Sequence, residues 1–345
     1  MFFSFFNKVK FDRSKNTIHI ISLSCNTVPP VKYGGIELIV AHLCSGLSNL
    51  GVKVTCYSPG KLGLVNVAHV KTMDVPSLSV KLGGDANQSE HLEEIKKTLK
   101  LNAKFGDVVI FNHPAQFRKL KRRLGYFFRF KTNVFEIAHT IDAGVYRNVI
   151  YPSQKLKNVI GKPGVVIPHG LELKFSKNSR SISAKDLLYA GSIDPDKGVH
   201  IALKACELIG CQLLVAGPRN HSEYELGIIS HSSVVYLGEL TYEELFEYYN
   251  DSYSFIYMTQ IPEPFGLAVI EAMAGGCPVI TTGLGGTGET VLPNKTGFFC
   301  RTVEDVVNAY ERLPEIDRED CISHAKTFTV KRMSTQYLHY ITGEN

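Results

Sequence analysis

Long apolar runs are missing from this chain. No stretch of its 345 residues approaches the roughly 18 consecutive apolar residues that a bilayer-spanning helix needs. The opening MFFSFFNKVK is too short and too interrupted for the apolar core of a secretory leader, and no small-residue cleavage site follows it. Paired cysteine motifs are missing too. The eight cysteines stand at irregular spacings, with no C-x-x-C and no Cys/His cluster at metal-ligand spacing. That pattern favours free, mostly buried thiols in a reducing compartment over a disulfide framework or a zinc site. Strong charge imbalance is also absent: a formal net charge of +5 is too small to imply nucleic acid as a partner. With 44% hydrophobic content, the expectation is a soluble, cytoplasmic α/β protein of about two ordinary domains.

Strand-like apolar runs alternate with helical patterns along nearly the whole chain. TIHIISLS precedes a helix with Ile36, Ile39, Val40, Leu43, Leu47 and Leu50 on one face, and VKVTCYS, DVVIFN, TNVFEIAHT, NVIYPS and GVVIPHG follow. A second series opens with DLLYAGS and a helix carrying Val199, Ala202, Leu203, Cys206 and Ile209, then continues through QLLVAG, VVYLG, SFIYMT and PVITTG. The polar segment ELKFSKNSRSISAK separates the two series, and Met333, Tyr337, Tyr340 and Ile341 mark a closing helix. Such alternation implies right-handed β-α-β units and two parallel sheets in tandem, with ligands outside the carboxyl ends of the strands. Most of the unusual residues fall at those ends: Gly34 and Gly35, His113, His139, His169, Ser192 to Lys197, Gly217 with Pro218, Glu263, and Gly285 with Gly286.

The segment EPFGLAVIEAMAGGCPVITT holds two glutamates eight positions apart. Pro264 cannot sit inside a helix, so the helix is expected to begin near Phe265, leaving Glu263 in the preceding loop. The first amides, of Phe265, Gly266 and Leu267, would point outward and accept hydroxyl or phosphate oxygens. Glu271 falls within an apolar helix. A buried carboxylate is costly unless it is paired, and either ligand hydroxyls or an internal partner could satisfy it.

GLGGTG, with Gly283, Gly285 and Gly288, matches a dinucleotide-binding spacing, yet Pro293, Asn294 and Gly297 interrupt the helix such a site requires. A glycine-rich loop beside a ligand is the better reading. In DPD, Asp194 is expected as an N-cap with Pro195 at the first helical position of the helix containing Lys197. No metal is expected there.

EPFGLAVIEAMAGGCPVITT resembles the Glu-x7-Glu signature of glycosyltransferase family 4, retaining enzymes of the GT-B fold. PPVKYGGIELIVAHLCSGLSNLGVKVTCYSPG is similar to the family's first glycine-rich loop and helix, VVIPHGLEL to its interdomain motif, LLYAGSIDPDKGVHIALKA to its donor-diphosphate loop, and TTGLGGTGETVLPNKTGFF to its closing segment. Within the family the chain resembles most the short branch of biopterin glucosyltransferase-like proteins. The resemblance implies an N-terminal acceptor-binding Rossmann-like domain over residues 1–172, a nucleotide-sugar-binding one over 173–327, and a helix over 328–345 returning to the first. It further implies hexose transfer from a nucleoside-diphosphate sugar to an acceptor hydroxyl with retained configuration, and no cofactor or metal. Glu263 would hold donor-sugar hydroxyls with the amides of Gly266 and Leu267, and Glu271 would accept from the nucleotide ribose. Lys197 would neutralise the diphosphate, Gly34 and Gly35 would let backbone approach it, and His139 would stand beside the transferred sugar. His169 and His113 are expected to be structural.

One position departs from the pattern. The family's usual arginine after the YAG strand is Ser192 here, and a hydroxyl does not replace a guanidinium's two-point grip. Ser192 motivates one alternative, a weakened homologue acting as a sugar-nucleotide-binding partner subunit; another, a nucleotide-sugar epimerase of the same fold, is disfavoured by the complete EPFGLAVIE signature. Lastly, FRKLKRRLGYFFRFK, Phe117 to Lys131, interleaves seven basic residues with five aromatics and no acid. It reads either as a solvated basic helix running into a core strand edge or as a membrane-surface patch. The second reading places the protein in peripheral contact with a membrane and its acceptor on a lipid.

Overall fold

The structure, a computed structural model, describes residues 10–23, 26–32, 34–74, 85–112 (side chains from 90), 120, 132–140, 143, 148–176 and 185–343. Phe117 to Lys131, apart from Leu120, and His113 lie outside the described residues.

Two parallel sheets carry the chain. The first contains β1 (Thr17–Ile21), β2 (Lys53–Ser58), β3 (Ala68–Lys71), β4 (Val108–Phe111), β5 (Asn133–Ile137), β6 (Val149–Tyr151) and β7 (Gly164–Val166), in the spatial order β3-β2-β1-β4-β5-β6-β7. Its helices are α1 (Gly35–Asn49), α2 (Asp85–Asn102) and α3 (Gln154–Ile160). The second contains β8 (Leu187–Ala190), β9 (Leu213–Ala216), β10 (Val234–Gly238), β11 (Ser254–Tyr257), β12 (Val279–Thr281) and β13 (Gly297–Phe299), ordered β10-β9-β8-β11-β12-β13. Around it stand α4 (Val199–Ile209), α5 (Glu223–Ile229), α6 (Tyr242–Asp251), α7 (Leu267–Ala274), α8 (Thr287–Thr290), α9 (Val303–Arg312) and α10 (Arg318–Ala325). The closing helix is α11 (Val330–Thr342).

β4 and β8 are buried at every position, as strands covered on both faces must be, and this explains their unbroken apolar sequences. Both sheets reverse their order beside their first strand, between β1 and β4 and between β8 and β11. Those two crevices are the topological switch points where a parallel sheet receives ligands. Two strands have no counterpart among the sequence expectations. β3 is a short, partly exposed edge strand, and β13 is the edge strand GFF, ending on the exposed Phe299, so neither carries an apolar run to announce it.

Two local expectations are corrected. α7 begins at Leu267, two residues later than Pro264 suggested, because Gly266 at its N-cap takes φ +92°, a left-handed conformation that ends any helical path from Phe265. Asp194 does sit at an N-cap position, but its side chain caps nothing; it accepts from Asn220 Nδ2 at 2.9 Å. The element it precedes is a single 3-10 turn, Pro195–Lys197, closed by Gly198 before α4 starts.

The chain passes between the domains at two neighbouring points, Leu171 and Thr329, which form a parallel bridge. Beyond Thr329, α11 buries Met333, Tyr337, Leu338 and Ile341 in the core that holds Val40, Leu43 and Leu47 of α1. Among the described residues, no helix is long and apolar enough to cross a membrane. The seven cysteines described are all free, six of them buried. Burial pushes the Cys277 thiol up to about 11 and Cys300 up to about 12, so neither is a thiolate at neutral pH.

Candidate functional site

The second sheet's switch point brings two predicted residues together. Lys197 follows β8, Glu263 follows β11, and Lys197 Nζ lies 2.8 Å from Glu263 Oε2, both groups half-buried. The Tyr257 hydroxyl donates to the same oxygen at 3.0 Å, and its ring lies 5.6 Å from the ammonium. Glu263 is fixed from behind, since its carbonyl accepts from the Gly286 amide at 2.6 Å and its amide donates to Leu284 at 3.3 Å. The glycine-rich stretch from Gly283 therefore buttresses Glu263. The helix it opens, α8, has four residues, too few for the long helix of a dinucleotide fingerprint. Ser192 is partly exposed in the loop leading to Lys197, and its carbonyl accepts from the Tyr189 hydroxyl at 2.5 Å.

Between the domains lies a cavity of about 640 Å³. Gly34, Gly35, Leu267 and Glu271 line it; Ser192, Lys197, Glu263, Gly266 and His139 do not. Two helix N-termini meet at its wall. A Cβ added to Gly35, the first residue of α1, would stand 3.2 Å from Leu267 Cδ1, the first residue of α7. One on Gly34 would stand 2.8 Å from Pro30 Cβ, so glycine is required for this close approach. Neither N-cap glycine, Gly34 or Gly266, supplies a side-chain cap, and the positive dipole ends of both helices converge there, an arrangement suited to an anion.

Glu271 opens onto this cavity one turn into α7 and is otherwise enclosed. Burial pushes its carboxyl up to about 7, opposed by the neighbouring Tyr249 hydroxyl, which lowers it. It has no salt-bridge partner, Lys or Arg, among the described residues. Burial likewise pushes Tyr242, another lining residue, up to about 12.

On the opposite side, the first sheet places His139 just beyond β5. Asn112 directly follows β4 and donates its amide to the Ile21 carbonyl at 2.9 Å, leaving its oxygen 3.2 Å from His139 Nε2. That oxygen accepts, so Nε2 carries the proton. The His139 ring stacks on His169, with centroids 5.3 Å apart and planes at 24°. His169 in turn meets the edge of Phe265 at 5.0 Å. Burial and the neighbouring His139 hold His169 well below the usual histidine range, so it is neutral. A ring stack thus runs from the first domain, through the interdomain segment, to the start of α7.

A second fastening joins the domains. Ser153, the N-cap of α3, donates its hydroxyl to the Pro264 carbonyl at 2.8 Å. The Glu289 carboxylate accepts from the first two amides of α3, Gln154 at 3.0 Å and Lys155 at 2.5 Å, and Lys155 Nζ returns to the Gly283 carbonyl at 3.1 Å. A carboxylate on a helix N-terminus is favourably placed. These bonds tie the loops around Glu263 to the first domain.

Sequence reasoning missed His42, Asn112, Glu289 and the tyrosines Tyr242, Tyr249 and Tyr257. His42 lines the cavity from α1. The signal that singles out Glu271, a titratable group inside an apolar helical run, applies to it equally. Among the described residues no group of three or more His, Cys, Asp or Glu could hold a metal ion.

Residues 172–328 match the family model described as glycosyl transferases group 1. Over 124 residues the chain is 31% identical to the glycogen synthase of Mycobacterium tuberculosis (strain CDC 1551 / Oshkosh), a match covering 33% of this chain and 30% of that protein. The chain thus spans less than a third of that relative's length. Among solved structures, AviGT4, a glycosyltransferase involved in avilamycin A biosynthesis, superposes with a TM-score of 0.71 at 22% identity, covering 94% of this chain and 97% of that one. Anabaena Alr3699/HepE in complex with UDP-glucose superposes with a TM-score of 0.71 at 16% identity, covering 95% and 100%. The two-sheet architecture is that of the GT-B glycosyltransferases.

Proposed function

We propose that this chain, whose second domain matches glycosyl transferases group 1 and whose fold supports a place in the GT-B glycosyltransferase superfamily, is a retaining hexosyltransferase. The finer reading, on the sequence resemblance, is family 4 and its biopterin glucosyltransferase-like branch. The carrying observation is the interdomain cavity, where two helix N-termini converge beside a carboxylate that has no cationic partner among the described residues. A nucleoside diphosphate answers both features: its phosphates suit the amides and dipoles of α1 and α7, and its ribose hydroxyls donate to Glu271. The nucleotide in the Alr3699/HepE complex with UDP-glucose makes a uridine nucleotide a rational first probe.

In this reading Lys197 gives up its bond to Glu263 and turns to the donor diphosphate, freeing the carboxylate for hydroxyls of the transferred sugar. Gly34 and Gly35 bring backbone close to the phosphates, and Gly266 and Leu267 offer amides. Ser192 stands in the diphosphate loop. The bond between the anomeric carbon and the diphosphate oxygen breaks, and its electron pair leaves with the diphosphate. An acceptor hydroxyl attacks the same face, and its proton passes to a departing phosphate oxygen, so configuration is retained. The ammonium and the two helix ends stabilise the developing negative charge electrostatically, without calling on a metal. His139, held by Asn112 and stacked on His169, lies on the sugar's side of the cleft. The acceptor reading is a lipid-linked or membrane-proximal hydroxyl, resting on Phe117 to Lys131.

Ser192 favours a second reading, in which weak diphosphate grip leaves a sugar-nucleotide-binding partner subunit with little turnover. A thermal-shift panel of nucleoside diphosphates and their hexose conjugates tests nucleotide recognition, because a ligand that binds only the folded state raises Tm. Donor hydrolysis without acceptor then separates enzyme from binder. No shift with any nucleotide would overturn both.

A further inference from the structure

α1 turns one face to the second domain. Gly35 approaches Leu267, Ile39 is part of the second domain's core, and Leu38 and His42 line the cavity. These positions are i, i+3, i+4 and i+7, the spacing of one helical face. The facing residues of α7 are Leu267, Ala268 and Glu271. Both helices start at the same point of the cavity wall, so His42 and Glu271 enter the space from opposite domains.

His42 is prepared as a neutral acceptor. Burial pulls it down to about 4, against a nearby Gly170 carbonyl that favours a proton on the ring. Nδ1 is buried and makes no hydrogen bond of ordinary geometry among the described residues. With Nδ1 inside the protein, Nε2 is the nitrogen left to face the cavity. A neutral imidazole has one donor and one acceptor. The tautomer with its proton on Nδ1 makes Nε2 the acceptor, and no hydrogen bond joins Nε2 to the protein among the described residues.

We propose that His42 is a second contact to the nucleotide ribose, made from the first domain: one ribose hydroxyl donates to His42 Nε2 while the neighbouring hydroxyl donates to the Glu271 carboxylate. The pentose is then held from both sides of the cleft, and ribonucleotides are selected over deoxyribonucleotides. This inference rests on the nucleoside-diphosphate reading of the cavity. It differs from it in making ribose recognition a shared task of the two domains.

The test is calorimetric titration of uridine diphosphate, or of whichever nucleoside diphosphate gives the largest thermal shift, together with its 2′-deoxy and 3′-deoxy analogues. Wild type, His42→Phe and His42→Gln are compared. Wild type is expected to bind the ribonucleotide about tenfold tighter than the deoxy analogue whose missing hydroxyl faces His42, the scale of one neutral hydrogen bond. His42→Phe should lose that same factor for the ribonucleotide and nothing for that analogue. His42→Gln, whose amide oxygen accepts, should recover part of it. An equal loss for all three nucleotides would show a merely structural histidine and overturn the inference, as would unchanged binding. Failure of wild type to bind any nucleoside diphosphate would overturn the nucleotide reading and the ribose contact with it.

Discussion

Glu271→Gln is expected to stabilise the ligand-free protein and to weaken its grip on nucleotide at the same time. In the folded chain burial raises this carboxyl from 4.5 to about 7. Between those values the unfolded state releases a proton that the folded state keeps, so folding loses stability as pH rises through that window. Below pH 4.5 both states are protonated and the penalty vanishes; above 7 both are ionised and it is complete. At about 1.4 kcal/mol per pKa unit, the full penalty is about 3 kcal/mol. The cavity-facing side of the carboxylate meets solvent, so about half of that is the expected net figure. For a domain of this size, about 1.5 kcal/mol moves Tm by roughly 3–6 °C. Glutamine keeps the shape and removes the charge. Melting curves of both proteins at pH 5, 6, 7 and 8, without ligand, should show the variant's advantage growing from small to several degrees. A pH-independent difference, or a variant less stable at pH 8, would refute the reasoning. Nucleotide affinity should fall in the same variant, since a neutral amide accepts ribose hydroxyls less strongly than a carboxylate.

Lys197→Ala is expected to lower nucleoside-diphosphate affinity by about one to two decades, the worth of a charge-assisted contact. Affinity for the corresponding nucleoside should change little, and equal losses by calorimetry would remove the diphosphate role. Ser192→Arg should tighten diphosphate binding by about the same factor if the loop has room, and loss of binding would show that another side chain fills the space. The basic, aromatic segment Phe117 to Lys131 should carry the protein onto anionic vesicles at low salt and release it at high salt. Equal, negligible sedimentation with anionic and neutral vesicles would remove the membrane reading.

The sheets were legible because strands buried on both faces advertise themselves as continuous apolar runs, as in LLYA of β8 and VVIF of β4. β3 and β13 were not, since both are edge strands with an exposed end, and AHVK and GFF form no apolar run of strand length. The N-terminus of α7 was misplaced because proline forbids a helix interior but does not say where the helix starts; the left-handed Gly266 decides that. Glu263 and Glu271 could be picked out by their surroundings in the sequence. The pairing of Glu263 with Lys197 could not, because 66 positions separate two residues that only the strand order beside β8 brings together. His42 carries the same signal as Glu271, a titratable group in an apolar helical run, and was overlooked. Its helix face reads as ordinary core until the second domain is seen to lie against it.

The central claim, transfer from a nucleoside-diphosphate sugar with retention, is tested most directly by proton NMR of the reaction as it proceeds. The donor is whichever hexose conjugate binds in the thermal-shift panel, with a mixture of candidate acceptor alcohols or water alone. The account predicts that the anomeric coupling of the first-formed product matches that of the donor, before mutarotation, and that the signal is lost in Glu263→Ala. A first-formed product of opposite configuration, or a donor that binds and is never cleaved, would contradict it.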